Sequence, residues 1–143
     1  MRRPAHPIHA AFVHFPIALL GTSLPFDVVG IARREPIWWA IGFWNIALGL
    51  AIAALTTATG LFDSARVAPD SPASGVVVRH LVTMLLALGC YGGALGVRGD
   101  PGVPTGAALY ATLALEALGF GLLMLGGFLG GELVYRHGVG RIP

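Results

Sequence analysis

The amino-acid sequence predicts an all-α integral membrane protein, folded as a four-helix transmembrane bundle. First, 55% of the 143 residues are hydrophobic and only 11% are charged, whereas a soluble domain usually has about 25% charged residues. Second, the hydrophobic residues form four long runs. Each run reaches the roughly 20 residues that are needed to cross a hydrocarbon core of about 30 Å. Third, no run alternates with the period of two that a strand requires.

The four runs predict transmembrane helices at about residues 10–31, 37–62, 75–97 and 105–130, within a single membrane domain that covers residues 1–143. Four spans place both termini on one side of the membrane, together with the loop between the second and third helices. Because arginine is more abundant on that side, the positive-inside rule predicts that both termini lie in the cytoplasm. The termini side contains Arg2, Arg3, Arg66, Arg79, Arg136 and Arg141, and the other side contains Arg33, Arg34 and Arg98.

The first run opens with HPIHAAFVHFP (residues 6–16), which contains three of the five histidines. Pro16 disfavours helical geometry at Phe15 and lacks the N–H that a helix interior needs. We therefore expect a bent entry segment, with the regular helix starting or kinking at Pro16. His9 and His14 are five residues apart, about 140° around a straight helix. Only a bent segment would bring these two imidazoles together.

Glycines four residues apart occur in the third and fourth runs, a spacing that allows helix backbones to approach closely in a membrane. The fourth run also continues into GGELVYRHGVG. A helix from Thr105 to His137 would be about 48 Å long, more than a bilayer core requires. We therefore expect the helix to break or bend near Gly130 and Gly131, and to stop at Gly138. The glycine pairs are Gly89 and Gly93, Gly92 and Gly96, Gly126 and Gly130, and Gly127 and Gly131.

All five histidines fall on the termini side of the predicted topology, and ionisable residues inside a membrane often mark a functional site. His14 and His80 lie at similar depths, about 6 and 7.5 Å into their helices. Two imidazoles at one depth are what a b-type haem requires, so His14 and His80 are candidate axial ligands, with His9 as a further candidate. Arg79 is a candidate partner for the haem propionates.

A transition-metal site is the alternative on the same side, since imidazole with carboxylate suits zinc, copper, nickel or iron. A cysteine cluster is excluded, because the chain contains one cysteine, Cys90. The candidate metal ligands are His6, His9, His80, His137, Asp63 and Glu132.

Two further acids lie within the predicted helices. Glu116 is near the bilayer midplane, where an unpaired carboxylate is costly. It is either a step in a proton or ion pathway or a structural hydrogen-bonding group, with Thr56, Thr57 and Asn45 as candidate partners. Asp27 is nearer the far interface, where we expect it to pair with Arg33 or Arg34.

Three segments together resemble a known family: HPIHAAFVHFPIALLGTSLPFDVVG, GLFD and GGELVYRHGVG. They are similar to a bacterial family of small four-span membrane proteins known as domain of unknown function 2231, over essentially the whole chain. The chain departs from the family pattern at Ala10, where a proline is common. Some relatives are joined to Rieske-type iron–sulfur domains, which implies a role near electron transfer. The matching residues are His6, His9, Pro16, Asp27, Gly60, Asp63, His80, Gly131 and His137.

These observations favour a redox-linked inner-membrane protein that binds haem b or a transition metal at its histidines. The lipid bilayer is one partner, a Rieske-type protein is a candidate redox partner, and a homo-oligomer is left open. The alternatives are a non-enzymatic assembly subunit and a proton or ion pathway through Glu116. No nucleophile–base arrangement or phosphate loop is visible, which disfavours an autonomous enzyme. The basic residues form no single solvated face of the kind that binds nucleic acid.

Overall fold

The computed structural model describes residues 8–140, and within them the chain is helical with no strand. A short helix precedes four long ones, and each long helix has the length and hydropathy of a membrane span. The predicted fold class is therefore confirmed. The helices are α1 (Ile8–Phe12), α2 (His14–Arg33), α3 (Pro36–Ser64), α4 (Ser74–Arg98) and α5 (Ala107–Tyr135).

Proline, glycine and a left-handed residue set several of the helix ends. Arg34 ends α2 with φ of 57°, and its N–H donates to the Gly30 carbonyl. Pro36 then starts α3, because its fixed φ suits the first helical turn and its missing N–H is not needed there. Gly138, with φ of 68°, follows the end of α5, as expected for a helix stop.

The four long helices form a closed ring in which each packs against two neighbours. The closest packing is within two hairpins, α2 with α3 and α4 with α5, and the ring is completed by contacts of α3 with α4 and of α2 with α5. Every long helix contributes to the central core, which contains Leu20, Ile46, Tyr91, Ala94 and Leu123.

The two hairpins are structural repeats of one another. Buried residues of α2 recur in α4 exactly one repeat later, so that Leu20 and Asp27 correspond to Tyr91 and Arg98, each pair 71 residues apart. Buried residues of α3 recur in α5 with a spacing of 70 residues. Both hairpins start at the same end of the bundle, so an approximate two-fold axis runs along the bundle. The α3 and α5 pairs are Gly42 and Thr112, Ile46 and Glu116, Gly49 and Gly119, Ala53 and Leu123, and Thr56 and Gly126.

The entry segment is bent, but the break lies upstream of Pro16. Residues Ile8–Phe12 form α1, a turn follows at Val13, and α2 starts at His14. Pro16 is thus in the first turn of α2, where a missing N–H is tolerated. The regular helix therefore starts two residues before the predicted position at Pro16. His6 lies outside the described residues.

The last helix does not break at Gly130 and Gly131, so that alternative of the prediction was wrong, whereas a bend there stays a prediction. Helix α5 runs without interruption through Gly130 and Gly131 to Tyr135, 29 residues in all. Glycine lowers helix stability by about 1 kcal/mol but keeps its backbone hydrogen bonds, so it does not interrupt a helix that is packed on both sides. At about 44 Å, α5 exceeds the hydrocarbon core, and such a length is accommodated by tilt or by protrusion.

Only some of the glycine pairs serve close packing. A Cβ atom on Gly93, Gly126 or Gly130 would contact a side chain of the neighbouring helix, whereas a Cβ on Gly89 or Gly127 would meet open space. Two further glycines, which are equivalent across the repeat, are also tightly packed. A Cβ on Gly49 would lie 2.8 Å from Leu20, and a Cβ on its counterpart Gly119 would lie 3.0 Å from Tyr91.

Candidate functional site

His9, on α1, packs against the carboxyl-terminal part of α3. Its Nδ1 is 2.9 Å from the main-chain oxygen of Thr56. One helical turn further along α3 is Gly60, and a Cβ atom there would lie 2.9 Å from His9 Cε1. The imidazole therefore occupies space that exists because residue 60 has no side chain.

His80, on α4, makes the same arrangement with α5. Its Nδ1 is 2.9 Å from the main-chain oxygen of Gly126. A Cβ atom on Gly130, one turn further on, would lie 3.2 Å from His80 Cε1. His80 is 71 residues after His9, so the two imidazoles are equivalent across the repeat.

The hydrogen bonds determine the tautomer of both imidazoles. A carbonyl oxygen only accepts, so Nδ1 of His9 and of His80 must carry the hydrogen. The lone pair of each neutral ring is then on Nε2, which forms no hydrogen bond within the described chain. An imidazole whose other nitrogen donates to a main-chain carbonyl has the orientation that is usual for metal-binding histidines.

The glycines explain how a helix carbonyl can accept this extra bond. The carbonyl of residue i in a helix already accepts from the N–H of residue i+4. A second donor reaches the other lone pair only where the side chain of residue i+4 leaves room. Gly60 stands four residues after Thr56, and Gly130 stands four residues after Gly126. This repeated pair of His–carbonyl contacts is hereafter called the histidine pair.

The remaining candidate ligands do not join the histidine pair. His14 is exposed at the start of α2, and its pairing with His80 stays a prediction. Arg79 is exposed, and its Nε donates to the Gly75 carbonyl at 3.3 Å. His137 follows the end of α5 and is partly buried.

The candidate carboxylates have local partners at the surface. Asp63 pairs with Arg66 at 3.2 Å, and Glu132 pairs with Arg136 at 3.1 Å. Among residues 8–140, no group of three or more His, Cys, Asp or Glu side chains is arranged to hold a metal ion. The predicted set of imidazole and carboxylate ligands is therefore not assembled by the part of the chain that is described, and His6 lies outside that part.

A second polar cluster lies at the opposite end of the bundle and is fully buried. Arg98 Nη1 is 2.7 Å from Asp27 Oδ2 and 3.4 Å from Glu116 Oε1, and none of the three side chains is exposed. Nη2 of Arg98 donates to the main-chain oxygen of Trp39. The guanidinium also lies over the rings of Trp39 and Phe43, at 5.4 and 5.7 Å from their centroids.

This buried cluster corrects two predictions. Asp27 pairs with Arg98 rather than with Arg33 or Arg34, which are exposed at the end of α2. Glu116 also interacts with Arg98 and not with Thr56, Thr57 or Asn45. Thr56 and Asn45 are used elsewhere: the Thr56 hydroxyl donates within α3 and Asn45 donates to Thr22. Sequence reasoning placed Arg98 in a surface loop, although the topology itself put Arg98 and Asp27 at the same end of the bundle.

The fold and the two polar clusters can be compared with known proteins. The family model described as "Predicted membrane protein (DUF2231)" matches residues 5–143.

The chain belongs to the DUF2231 family.

Membership of DUF2231 confirms the resemblance that the sequence motifs carry and agrees with the four apolar helices of the structure. No curated protein and no solved structure matches the chain significantly. The description of DUF2231 names a membrane protein and no activity, so a function for this chain has to be argued from its geometry.

Proposed function

We propose that the protein binds a haem b between His9 and His80 and takes part in electron transfer at the membrane. One observation carries this proposal: two imidazoles, equivalent across the repeat, each donate Nδ1–H to a helix carbonyl and keep the lone pair on Nε2. Neutral imidazoles with a free Nε2 are the axial ligands of a b-type haem.

The depth of the two residues supports this reading. His80 is six residues after the start of α4, about 9 Å along the helix. The two imidazoles pack against Gly60 and Gly130. Gly60 lies four residues before the end of α3, about 6 Å from that end. Gly130 lies five residues before the end of α5, about 7.5 Å from that end. The histidine pair therefore occupies one layer of the bundle.

The number of ligands favours haem over a bare ion. A structural zinc ion needs four protein ligands, and no cluster of three is present within residues 8–140. A haem brings four nitrogens of its own and needs at most two from the protein. When bound, it would supply one-electron chemistry. The chain would hold the two imidazoles in position through the carbonyls of Thr56 and Gly126. A hydrogen bond from Nδ1–H to a carbonyl also makes Nε2 of the same ring more basic.

The orientation of the bundle in the membrane is part of the same proposal. Arg98 is buried in the ion cluster, so it contributes no loop charge on the far side. Six arginines then remain on the termini side against Arg33 and Arg34 on the other, which favours cytoplasmic termini in a bacterial inner membrane. The histidine pair would lie towards the cytoplasm. Arg79, exposed beside His80, is the nearest candidate for the haem propionates, and a Rieske-type protein is a candidate redox partner.

The absorption spectrum of protein purified from haem-replete cells tests the proposal. We expect a Soret band that is lost in His9→Ala and in His80→Ala. His14→Ala is the matched control, since His14 is a histidine of the same membrane side that is exposed and outside the pair; its spectrum should equal that of the wild type.

A colourless wild-type protein would contradict the haem proposal. Elemental analysis of the same sample would then distinguish a bare transition metal from a protein without cofactor. The latter result would favour the non-enzymatic assembly subunit.

A further inference from the structure

The buried ion cluster contains one acid more than the repeat requires. Asp27 and Arg98 are counterparts in the two hairpins, and their charges cancel. Glu116 has no acidic counterpart, because the equivalent residue of α3 is Ile46. With both carboxyls ionised, the cluster would have a net charge of −1 and no exposed side chain. An uncompensated charge inside the bundle is costly, and a buried acid without a full partner takes up a proton instead.

The hydrogen bonds of the cluster leave room for that proton. Arg98 donates to one oxygen of each carboxyl, Oδ2 of Asp27 and Oε1 of Glu116. The other oxygens, Oδ1 and Oε2, are buried and accept from no group of the described chain. Both carboxyl groups contact the same nitrogen atom, Arg98 Nη1, at 2.7 and 3.4 Å, so they meet at a single donor. Two carboxylates cannot bond without a hydrogen between them, and one proton satisfies both groups.

We propose that Asp27 and Glu116 share a single proton under the guanidinium of Arg98, so that the buried cluster is a neutral proton-binding site. The proton occupies an O–H···O bond between the two carboxyls, and Arg98 compensates the one remaining negative charge. Tyr91 on α4 is a further titratable side chain that interacts with Glu116, and α3 contributes the Trp39 carbonyl that accepts from Arg98.

The site is separate from the histidine pair and lies close to water on the far side. A surface cleft of about 250 Å³ opens between α4 and α5, and its lining includes Arg98, Asp100, Thr105 and Ala108. The Arg98 side chain is nevertheless fully shielded from solvent. The proton is therefore held out of direct contact with water.

Infrared spectroscopy of the purified protein in lipid nanodiscs tests this proposal. A protonated carboxyl group has a C=O stretching band that a carboxylate lacks, and ¹³C labelling of Asp and Glu assigns it. We expect one such band at neutral pH in the wild type. The band should disappear in Glu116→Gln and also in Asp27→Asn, because either change leaves one carboxylate for one guanidinium. Glu132→Gln, which removes a surface acid paired with Arg136, should retain the band.

Three results would overturn the proposal: no band in the wild type, a band that persists in Glu116→Gln, or a band that persists in Asp27→Asn. If Glu116→Gln does not fold, Glu116→Ile provides the residue that the first hairpin has at this position, and it should also lack the band. The wild-type spectrum should be the same in the His80→Ala background, so the outcome does not depend on whether haem is bound.

Discussion

Asp27 and Arg98 occupy equivalent positions in the two helical hairpins and form a salt bridge of 2.7 Å with no exposed side-chain surface. The two residues are 71 positions apart, as are His9 and His80. The repeat therefore gives each end of the bundle one pair of equivalent residues. At one end the pair consists of opposite charges, and at the other it consists of two imidazoles.

Replacing Arg98 with Gln should destabilise the protein strongly, because Asp27 and Glu116 would lose their buried cation. Breaking a buried ion pair by removing one partner costs about 3–5 kcal/mol. Arg79→Gln is the matched control: Arg79 is exposed and forms no ion pair in the described chain, so its effect should be about 0.5 kcal/mol or less. Equilibrium unfolding in mixed micelles measures both. Equal stabilities of the two variants would contradict the assigned role of Arg98.

Replacing Gly42 with Ala should also destabilise the ion cluster. A Cβ atom on Gly42 would overlap the Asp27 carboxylate and lie 3.0 Å from its Cγ. Overpacking of this kind typically costs about 1–3 kcal/mol. Gly89→Ala tests the intrinsic effect of alanine in a helix, since nothing lies within 4 Å of a Cβ there. In the same unfolding measurement, Gly42→Ala should have a lower free energy of unfolding than both the wild type and Gly89→Ala.

Adding a methyl group at Gly60 or Gly130 should weaken cofactor binding while leaving both histidines in the sequence. The new Cβ would lie 2.9 Å from His9 Cε1 or 3.2 Å from His80 Cε1, so the imidazole must move away from its carbonyl. Loss of the hydrogen bond between a ligating imidazole and its supporting carbonyl lowers metal affinity about 10- to 100-fold. Haem titration followed by absorbance measures the effect. Gly127→Ala, where a Cβ meets open space, should bind as tightly as the wild type.

Reporter fusions test the orientation. A carboxy-terminal green fluorescent protein should be fluorescent, and a carboxy-terminal alkaline phosphatase should be inactive, because the termini side contains more arginine. A phosphatase inserted in the loop between α4 and α5 should be active. The reverse pattern would mean that the histidine pair faces away from the cytoplasm.

The sequence was sufficient to predict four apolar spans, but it did not predict the partners of the polar residues within them. Arg98 ends an apolar run, so it was counted as a loop residue, and Asp27 was paired with its nearest neighbours along the chain. For a haem, depth along a helix matches His14 with His80. That argument could not anticipate the turn at Val13, which separates α1 from α2.

The repeat was not apparent from residue identity, because the two hairpins share a pattern of buried positions rather than a sequence. Tyr91 stands where the first hairpin has Leu20, and Glu116 stands where it has Ile46. Burial at a spacing of about 70 residues becomes visible only when the helices are packed.

By itself, the sequence determined that this chain is a four-span membrane protein of the DUF2231 family. The length and composition of an apolar run are local properties, and they are sufficient to decide whether that run can cross a bilayer. The tertiary structure decided which polar groups meet. It joined Asp27, Arg98 and Glu116 at one end and placed His9 and His80 against helix carbonyls at the other. Those contacts depend on which face each helix turns towards its neighbours. Gly42, Gly60 and Gly130 leave room there for the side chains of Asp27, His9 and His80.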